Sequence, residues 1–219
     1  MAGAAGLAGC SSSTTALADA TRQLLRPAAA DTATLNPAFS YLRVTNDKSV
    51  ALIVLGYVDA VPMAGTEVWY SGDKNTIRLW RGRIAGTGGL ASDWRSVRFT
   101  DVPTWRQALA GGARYQRQRD VMPGYAIAVR DTVQVLPVAA PSGSRITGLS
   151  AQALSGLQWF EERTLPQGQA AGLPPARFAV DFSGPQERVV YSEQCLTDSL
   201  CLSFQAWPVP PSPPAAPTP

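Results

Sequence analysis

Aromatic and arginine side chains alternate in a short stretch of the sequence, residues 67–83. The residues of this stretch that could contact a ligand are Trp69, Tyr70, Arg78, Trp80, Arg81 and Arg83. Aromatic rings stack on the apolar faces of sugars, and the arginine guanidinium pairs with carboxylates through a planar fork of donors. On a strand, Ile77 and Leu79 share one face, which puts Arg78 and Trp80 together on the other. The stretch predicts a face that binds a glycan or a partner, although an ordinary hairpin with one buried side has the same pattern.

The titratable residues do not form a recognisable catalytic set. The chain has no histidine, which excludes Ser-His-Asp and Cys-His catalysis and removes the commonest metal ligand. Glu161 and Glu162 are adjacent, so on a strand they point to opposite faces and cannot act as a paired acid and base; we interpret them as surface charge. Asp59, Glu67 and Asp181 are scattered without a convergent spacing. We therefore expect no catalytic residue, no metal site and no cofactor, and predict that the protein is not an enzyme.

One of the three cysteines lies in a lipoprotein signal. Leu7-Ala8-Gly9-Cys10 fits the bacterial lipobox, in which small residues precede a cysteine that becomes the lipid attachment site. Several acyl chains would hold the protein stably at a bilayer, where a single chain would not. The nine residues before Cys10 are short for a signal peptide and carry no positive side chain, so we expect the true start to lie upstream. Ser11 is typical of lipoproteins that are sent to the outer membrane.

The other two cysteines, Cys195 and Cys201, are predicted to form a disulfide. They flank the sequence LTDSL, which reads as a loop between the last two strands. A hairpin brings such positions within bonding distance, and disulfides persist in oxidising compartments such as the periplasm. Two free buried thiols or a catalytic dithiol remain the alternatives.

Positive charge is concentrated in the middle of the chain. The net charge is only +3, but eleven of the 19 basic residues lie between Lys74 and Arg130, with Asp93, Asp101 and Asp120 as the acids among them. This pattern fits solvated outer faces of strands, or attraction to an anionic partner such as an acidic polysaccharide, a phospholipid surface or nucleic acid. Nearly all of these charges are arginines, which favours sugar acids or protein partners, and we expect no nucleic-acid partner.

The central segment, residues 50–90, predicts a meander of about four strands. An apolar run opens it, a polar break at residues 71–75 reads as a hairpin loop, and Arg81-Gly82 reads as a tight two-residue turn. The glycines of residues 86–89 suggest a bulge or a close approach of backbone. Strands outnumber helices throughout, and turns recur every eight to twelve residues. The predicted fold class is all-β with minor short helices, an antiparallel meander that forms a sandwich or partial barrel.

Other segments give further predictions. A short helix is expected over residues 16–25 and a single helical turn or two over residues 103–109. Residues 113–121 are polar on both faces, which suits an edge strand or a groove wall. Arg130-Asp131 reads as a turn or bulge between two apolar strands. We divide the chain into a truncated signal peptide (1–10), a tether with a short helix (11–35), one β-rich domain (36–207) and a disordered proline-rich tail (208–219).

Several stretches together resemble the YjbF family of bacterial lipoproteins. The segments that carry the resemblance are Leu7–Cys10, NPAFSYLRV (36–44), ALIVLGYVD (51–59), EVWYSGD (67–73), IRLWRGRIAGTGGL (77–90), RDVMPGY (119–125), WFEER (159–163), LPPARFAVD (173–181) and VVYSEQCLTDSLCLSFQAW (189–207). The resemblance implies a lipoprotein on the periplasmic face of the outer membrane that takes part in making or exporting an extracellular polysaccharide. It implies a mostly antiparallel β fold, and it supplies no catalytic residues.

These observations lead to three hypotheses of function. We favour a non-enzymatic accessory lipoprotein, held to the outer membrane by its N-terminal lipid, that contacts an acidic polysaccharide or exopolysaccharide-secretion proteins. The second hypothesis is a carboxylate-dependent enzyme that modifies a glycan. The third is a structural assembly factor for an outer-membrane barrel protein.

Overall fold

The computed structural model describes residues 30, 32–47, 49–165 and 172–208. The strands are β1 (Tyr41–Thr45), β2 (Val50–Asp59), β3 (Thr66–Tyr70), β4 (Thr76–Trp80), β5 (Arg83–Gly88), β6 (Asp93–Thr100), β7 (Ala113–Met122), β8 (Ala126–Val138), β9 (Gln158–Leu165), β10 (Ala176–Asp181), β11 (Arg188–Cys195) and β12 (Cys201–Trp207). Two short helices interrupt them, α1 (Trp105–Leu109) after β6 and α2 (Ala151–Ser155) after β8. Within the described ranges, no helix is long and apolar enough to cross a membrane.

The strands form one antiparallel sheet with the order β5–β4–β3–β2–β1–β12–β11–β10–β9–β8–β7–β6. The first and last strands are neighbours, with Tyr41 of β1 opposite Trp207 of β12. The two ends of this order, β5 and β6, lie side by side. There the Thr87 hydroxyl donates to Asp93 at 2.9 Å and accepts from the Trp94 backbone N–H at 3.0 Å. The sheet is a nearly closed barrel, which confirms the predicted antiparallel all-β fold.

The predicted central meander consists of the four strands β2 to β5. Its two-residue turn is confirmed: Arg81 and Gly82 have φ angles of +49° and +80°, the signs that a type I′ turn requires at both positions. A Cβ atom on Gly82 would lie 2.6 Å from the side chain of Val189 on β11. Glycine is therefore needed both for its backbone conformation and because the turn packs tightly across the end of the barrel.

Two hydrophobic clusters fill the interior of the barrel. The first contains Trp69 and Trp94 and is built mainly from β1 to β6 and β12. The second forms around α1, whose Trp105 ring lies 5.0 Å from that of Phe160 and 4.9 Å from that of Phe178. Thr104 caps α1 by accepting a hydrogen bond from the Gln107 backbone N–H. Through Trp105, α1 packs into the interior of the barrel.

Parts of the outer face of the sheet are also covered. Ala30, Ala33 and Leu35 pack on β1 and β2 over Tyr41, Val50, Leu52 and Val54. The segment around α2 contributes Ile146 and Leu157, which pack on β9 to β11. Because these strands are buried on both faces, runs such as residues 51–55 are continuously apolar instead of alternating.

Strand β8 corrects the prediction of a break at Arg130-Asp131. The strand is continuous from Ala126 to Val138, because the two charged residues point to opposite faces. Arg130 is exposed outside, whereas Asp131 lies inside and accepts hydrogen bonds from Arg117 Nε at 2.8 Å and Arg119 Nε at 2.7 Å. Burial alone would raise the pKa of Asp131, but the hydrogen bond from Arg119 and the charges of both arginines lower it below its ordinary value.

The same ion pairs explain the polar inner face of β7. Arg117 and Arg119 also lie over the ring of Trp94 at 4.7 and 5.0 Å. The Asp131 carboxylate compensates part of their charge, and their stems pack in the interior. Strand β7 has β6 on one side and β8 on the other. The prediction that this segment forms an edge strand is therefore wrong.

The predicted disulfide joins Cys195 at the end of β11 to Cys201 at the start of β12, which confirms the pairing. The signal peptide with Cys10 and Ser11, the helix expected over residues 16–25 and the proline-rich tail beyond residue 208 lie outside the described residues.

Candidate functional site

The structure divides the six predicted binding residues among three environments. Tyr70 and Arg78 lie on the outer face of β3 and β4 and are exposed. Trp69 and Arg81 are at one end of the barrel, and Trp80 lies beside Arg81. Arg83 lies in the core. The alternation in β4 is confirmed, since Ile77 and Leu79 are buried whereas Arg78 is exposed.

The outer residues form a small patch together with a tyrosine that sequence analysis did not identify. We call Tyr57, Tyr70 and Arg78 the tyrosine–arginine patch. The rings of Tyr57 and Tyr70 lie 6.4 Å apart and are 46% and 40% exposed. A hydrogen bond with Tyr57 raises the pKa of Tyr70, and the charge of Arg78 opposes this rise. Exposed aromatic rings beside a cation offer a stacking surface and a partner for a carboxylate.

Tyr57 could not be placed beside Tyr70 from the sequence alone. Strand β2 has an irregularity in its pairing with β3 between Leu55 and Tyr57, and a Cβ atom on Gly56 would lie 2.5 Å from the Tyr70 ring. The Tyr70 ring therefore lies directly over Gly56. In the sequence, Gly56 interrupts the apolar run of β2, and this interruption was the sign of a close contact. Which side chain lies over Gly56 depends on the register of β2 and β3, which the sequence alone does not give.

Trp80 and Arg81 stack on one another at the end of the barrel. The Trp80 ring stacks on Phe99 at 5.4 Å, and its indole N–H donates to the Ala64 carbonyl oxygen at 3.2 Å. The Arg81 guanidinium lies over the Trp80 ring at 4.7 Å. Trp80 is thus half-buried by contacts with its neighbours, whereas the exposed Arg81 projects from the β4–β5 turn.

Arg83 does not belong to an exposed face, because its side chain is buried in the interior with 2% exposure. Its Nε donates to Glu162 at 2.8 Å, and the Tyr115 hydroxyl donates to the same carboxylate at 2.9 Å. The guanidinium lies 4.0 Å above the Trp105 ring. Glu162 is therefore a buried partner of Arg83, and its interpretation as surface charge is wrong. Glu161 is also mostly buried, on the opposite face, where it binds Arg163 at 2.6 Å.

Beside the start of α1 the barrel has an open cavity. We call this space of about 1000 Å³ the mouth cavity. It lies among the β2–β3, β4–β5 and β10–β11 turns and the start of α1. Its apolar lining includes Leu42, Leu55, Trp69, Leu79 and Phe204, and its charged lining includes Glu67, Arg81, Arg106, Glu187 and Arg188.

Glu67 is a partly buried acid in the lining of the mouth cavity. It points to the same side of β3 as Trp69, whose indole N–H donates to Glu67 Oε2 at 3.1 Å. Burial raises the pKa of Glu67, and the hydrogen bond from Trp69 opposes this only in part. Sequence analysis treated Glu67 as an isolated acid, although its spacing of two residues from Trp69 already places both on one face.

Two of the other lining acids and bases have partners. Glu187 accepts hydrogen bonds from the backbone N–H groups of Trp105 and Arg106, at 2.8 and 3.0 Å, and so stabilises the start of α1. Arg188 binds Asp181 at 2.9 Å. In the described part of the chain, no group of three or more cysteine, aspartate or glutamate side chains is placed to hold a metal ion.

Comparison with known proteins now identifies the family. The sequence matches the family described as "Group 4 capsule polysaccharide lipoprotein gfcB, YjbF" over residues 13–165. The fold is similar to that of the hypothetical lipoprotein YmcC from Escherichia coli (K12), with a TM-score of 0.64 and 19% identity, over 94% of this chain and 100% of that chain. That identity shows a shared fold alone. No curated sequence matches significantly. Because the family match spans well over half of its length, the chain belongs to the YjbF family of group 4 capsule polysaccharide lipoproteins.

Proposed function

We propose that this protein is a non-enzymatic accessory lipoprotein of capsule or exopolysaccharide production, attached to the periplasmic face of the outer membrane through lipid on Cys10. Membership of a capsule polysaccharide lipoprotein family supports the pathway. The disulfide supports an oxidising compartment. The tyrosine–arginine patch is the geometric observation that carries the binding role, because it presents two rings and a cation to solvent on one outer face.

Two carboxylates held in ion pairs inside the barrel, Glu162 and Asp131, are not available as a catalytic acid and base. The buried carboxylates of Glu162 and Asp131 each accept hydrogen bonds from arginine. Glycoside cleavage by the usual route needs two carboxyl groups that flank a bond, one of them able to give up a proton. Carboxylates held in ion pairs within the core meet neither requirement.

Polymer binding tests the patch. The purified protein should bind the capsule polysaccharide of its own strain, and Arg78→Glu combined with Tyr57→Ser should weaken that binding by about tenfold or more, equivalent to roughly 1.4 kcal/mol. Both residues are exposed, so the fold should be retained. Arg130→Glu is the matched control, because Arg130 is an exposed arginine on β8, which is separated from β4 by β7, β6 and β5 around the barrel. Equal weakening by both variants would indicate a diffuse charge effect and would contradict a specific patch.

The same incubation tests the alternative of catalysis. Polymer recovered after prolonged contact with the protein should keep its chain length when it is measured by size-exclusion chromatography. Shorter chains that disappear with a heat-denatured control would show cleavage and would replace the proposal with a glycan-modifying enzyme.

The anchor is tested separately. Mass spectrometry of the N-terminal peptide from membrane fractions should find Cys10 carrying diacylglycerol and an additional acyl chain. The Cys10→Ser variant should leave the membrane fraction. An unmodified Cys10 in a cytosolic protein would contradict the proposed location.

A further inference from the structure

We propose that the mouth cavity is a second binding site, separate from the tyrosine–arginine patch, that takes a short carbohydrate segment whose hydroxyl groups donate to the Glu67 carboxylate. This proposal rests on the proposed function in one respect: the role in capsule or exopolysaccharide production is the reason to expect a sugar of that polymer as the ligand. The cavity itself, its lining and the position of Glu67 are features of the barrel.

The size and position of the cavity favour a ligand. Small-molecule sites are concave and occupy roughly 300–1,000 Å³, often at the open end of a barrel. The mouth cavity, at about 1000 Å³, is at the upper end of this range. Elsewhere in the barrel, the interior is filled by side chains. In the second hydrophobic cluster, Trp105 of α1 packs against both Phe160 and Phe178. The mouth cavity lies beside the start of this helix.

Glu67 is partly buried, and it differs from the carboxylates that this barrel buries in ion pairs. Glu162, Asp131 and Glu161 each contact an arginine side chain. Glu67 contacts none among the described residues, and its hydrogen bond from Trp69 satisfies only part of its accepting capacity. Burial without a cation disfavours the ionised form, so this arrangement opposes folding at neutral pH. A ligand that donates hydrogen bonds would supply the missing partners.

The remaining lining fits a sugar better than a lipid chain. Trp69, Leu55 and Phe204 provide apolar walls for the C–H faces of a pyranose ring. Arg81 and Arg106 stand exposed at the rim, where they could pair with acidic substituents of the polymer. An acyl chain in the same space would bury Glu67 further and offer it no donor, which is unfavourable for a carboxylate.

The two sites can be changed independently. Residues alternate between faces along β3, so that Trp69 and Glu67 point inward whereas Tyr70 points outward. On β4, Arg78 is on the outer face. The patch can therefore bind a long polymer on the outside of the barrel while the cavity takes a short segment at its end.

The test uses the full chain and oligosaccharides prepared by partial hydrolysis of the capsule polymer of its own strain. Isothermal titration should detect binding, and Glu67→Gln should weaken it by about tenfold, as loss of hydrogen bonds to a charged acceptor implies. Arg130→Gln is the matched control, because Arg130 is an exposed arginine outside both the patch and the cavity, and it should leave oligosaccharide binding unchanged. Arg78→Ala is measured beside it to report any binding of the oligosaccharides by the patch. Thermal unfolding of each variant confirms that the fold is retained.

Any of four outcomes would overturn the proposal. Oligosaccharides that fail to bind, or that bind the Glu67→Gln variant as tightly as the parent chain, would show that Glu67 contacts no sugar. Loss of oligosaccharide binding in Arg78→Ala alone would assign the ligand to the patch. A fatty acid that binds, and binds more tightly to Glu67→Gln, would show a lipid site. If long polymer still binds through the patch in any of these cases, the proposed function stands and only the cavity proposal fails.

Discussion

The guanidinium of Arg83 is held in the interior by three aromatic rings and one carboxylate. It lies 4.0 Å from the ring centre of Trp105, 5.5 Å from that of Tyr115 and 5.7 Å from that of Phe178. Ring faces attract a desolvated cation, and Glu162 neutralises its charge. A buried ion pair of this kind adds little net stability, but removal of one partner leaves an uncompensated charge in the core.

We therefore predict that Glu162→Gln destabilises the protein by about 3–5 kcal/mol, the usual effect of breaking a buried pair. Urea unfolding monitored by tryptophan fluorescence measures the change. Glu161→Gln is the control, because the arginines that bind Glu161 are 41% and 60% exposed and exposed pairs contribute about 1 kcal/mol or less. The double variant Arg83→Met/Glu162→Gln should recover part of the loss. Similar effects of the two single variants would contradict a buried charge pair.

A second prediction for a single residue concerns Glu67. Its pKa is raised in the folded protein above the ordinary value of 4.5, so the folded chain holds this proton more tightly than the unfolded chain does. Stability therefore falls as pH rises from 4.5 to the folded pKa, and the full penalty is present above the folded pKa. Glu67→Gln removes this penalty and keeps an oxygen that can accept from Trp69. The variant should melt at a higher temperature than the parent at neutral pH, and the difference should vanish below pH 4.5. A lower melting temperature at neutral pH would contradict the assignment.

At the scale of elements, the turns at the mouth end are fixed by their glycines. Gly82 has a positive φ and no space for a Cβ atom, whereas Gly65 in the β2–β3 turn has a φ of +83° with nothing within 4 Å of an added Cβ. We predict that Gly65→Ala destabilises by about 1–2 kcal/mol from backbone strain alone. Gly82→Ala should destabilise by more, because the new methyl group also displaces Val189.

Chemical denaturation of both variants measures this difference. Val189→Ala in the Gly82→Ala background should restore only part of the loss, because alanine keeps the Cβ atom that lies 2.6 Å from the new methyl group and because the φ strain at residue 82 remains. Equal destabilisation by Gly65→Ala and Gly82→Ala would show that the turn does not pack on β11.

Strands β7 and β8 depend on the ion pairs of Asp131. Its pKa is lowered below 3.8, so the ionised carboxylate stabilises the fold above that value, and the stabilisation is lost as pH falls through the lower, folded pKa. Asp131→Asn should destabilise by about 3 kcal/mol at neutral pH, because two arginines lose their partner. The difference should shrink at pH values well below 3.8.

Arg130→Gln is the control for this strand, and it should change stability by less than about 0.5 kcal/mol, as expected for an exposed position. Urea titrations at the two pH values provide the comparison. A loss in Asp131→Asn that does not depend on pH would show that the effect comes from packing and not from charge.

At the scale of the whole molecule, sequence patterns predicted what depends on neighbours in the chain. The Arg81-Gly82 turn, the four strands of the meander and the Cys195–Cys201 pair all join residues close in sequence. The burial of Arg83 was not predicted, because its partner Glu162 is 79 residues away. The mouth cavity was not predicted either, since it exists only where turns from distant parts of the chain meet at one end of the closed sheet.

The pairing of β1 with β12 gives a prediction for the entire barrel. Loss of β12 would remove the buried side chains of Leu202 and Phe204 and leave β1 and β11 without a partner on one side. A chain shortened after Leu200 should therefore show no cooperative unfolding transition and no protease-resistant core, unlike the full chain. A cooperative transition in the shortened chain would show that the sheet is stable without closure.

The adjacency of the first and last strands also determines when the molecule can become compact. Tyr41 and Trp207 face each other across the pair, so almost the entire domain must be made before that pairing can form, and contacts of such long sequence separation form slowly. A nascent or newly translocated chain would meanwhile present two open strand edges, which attract other strands. Biogenesis of this protein should consequently depend on a holding factor that shields those edges until its final strand is delivered.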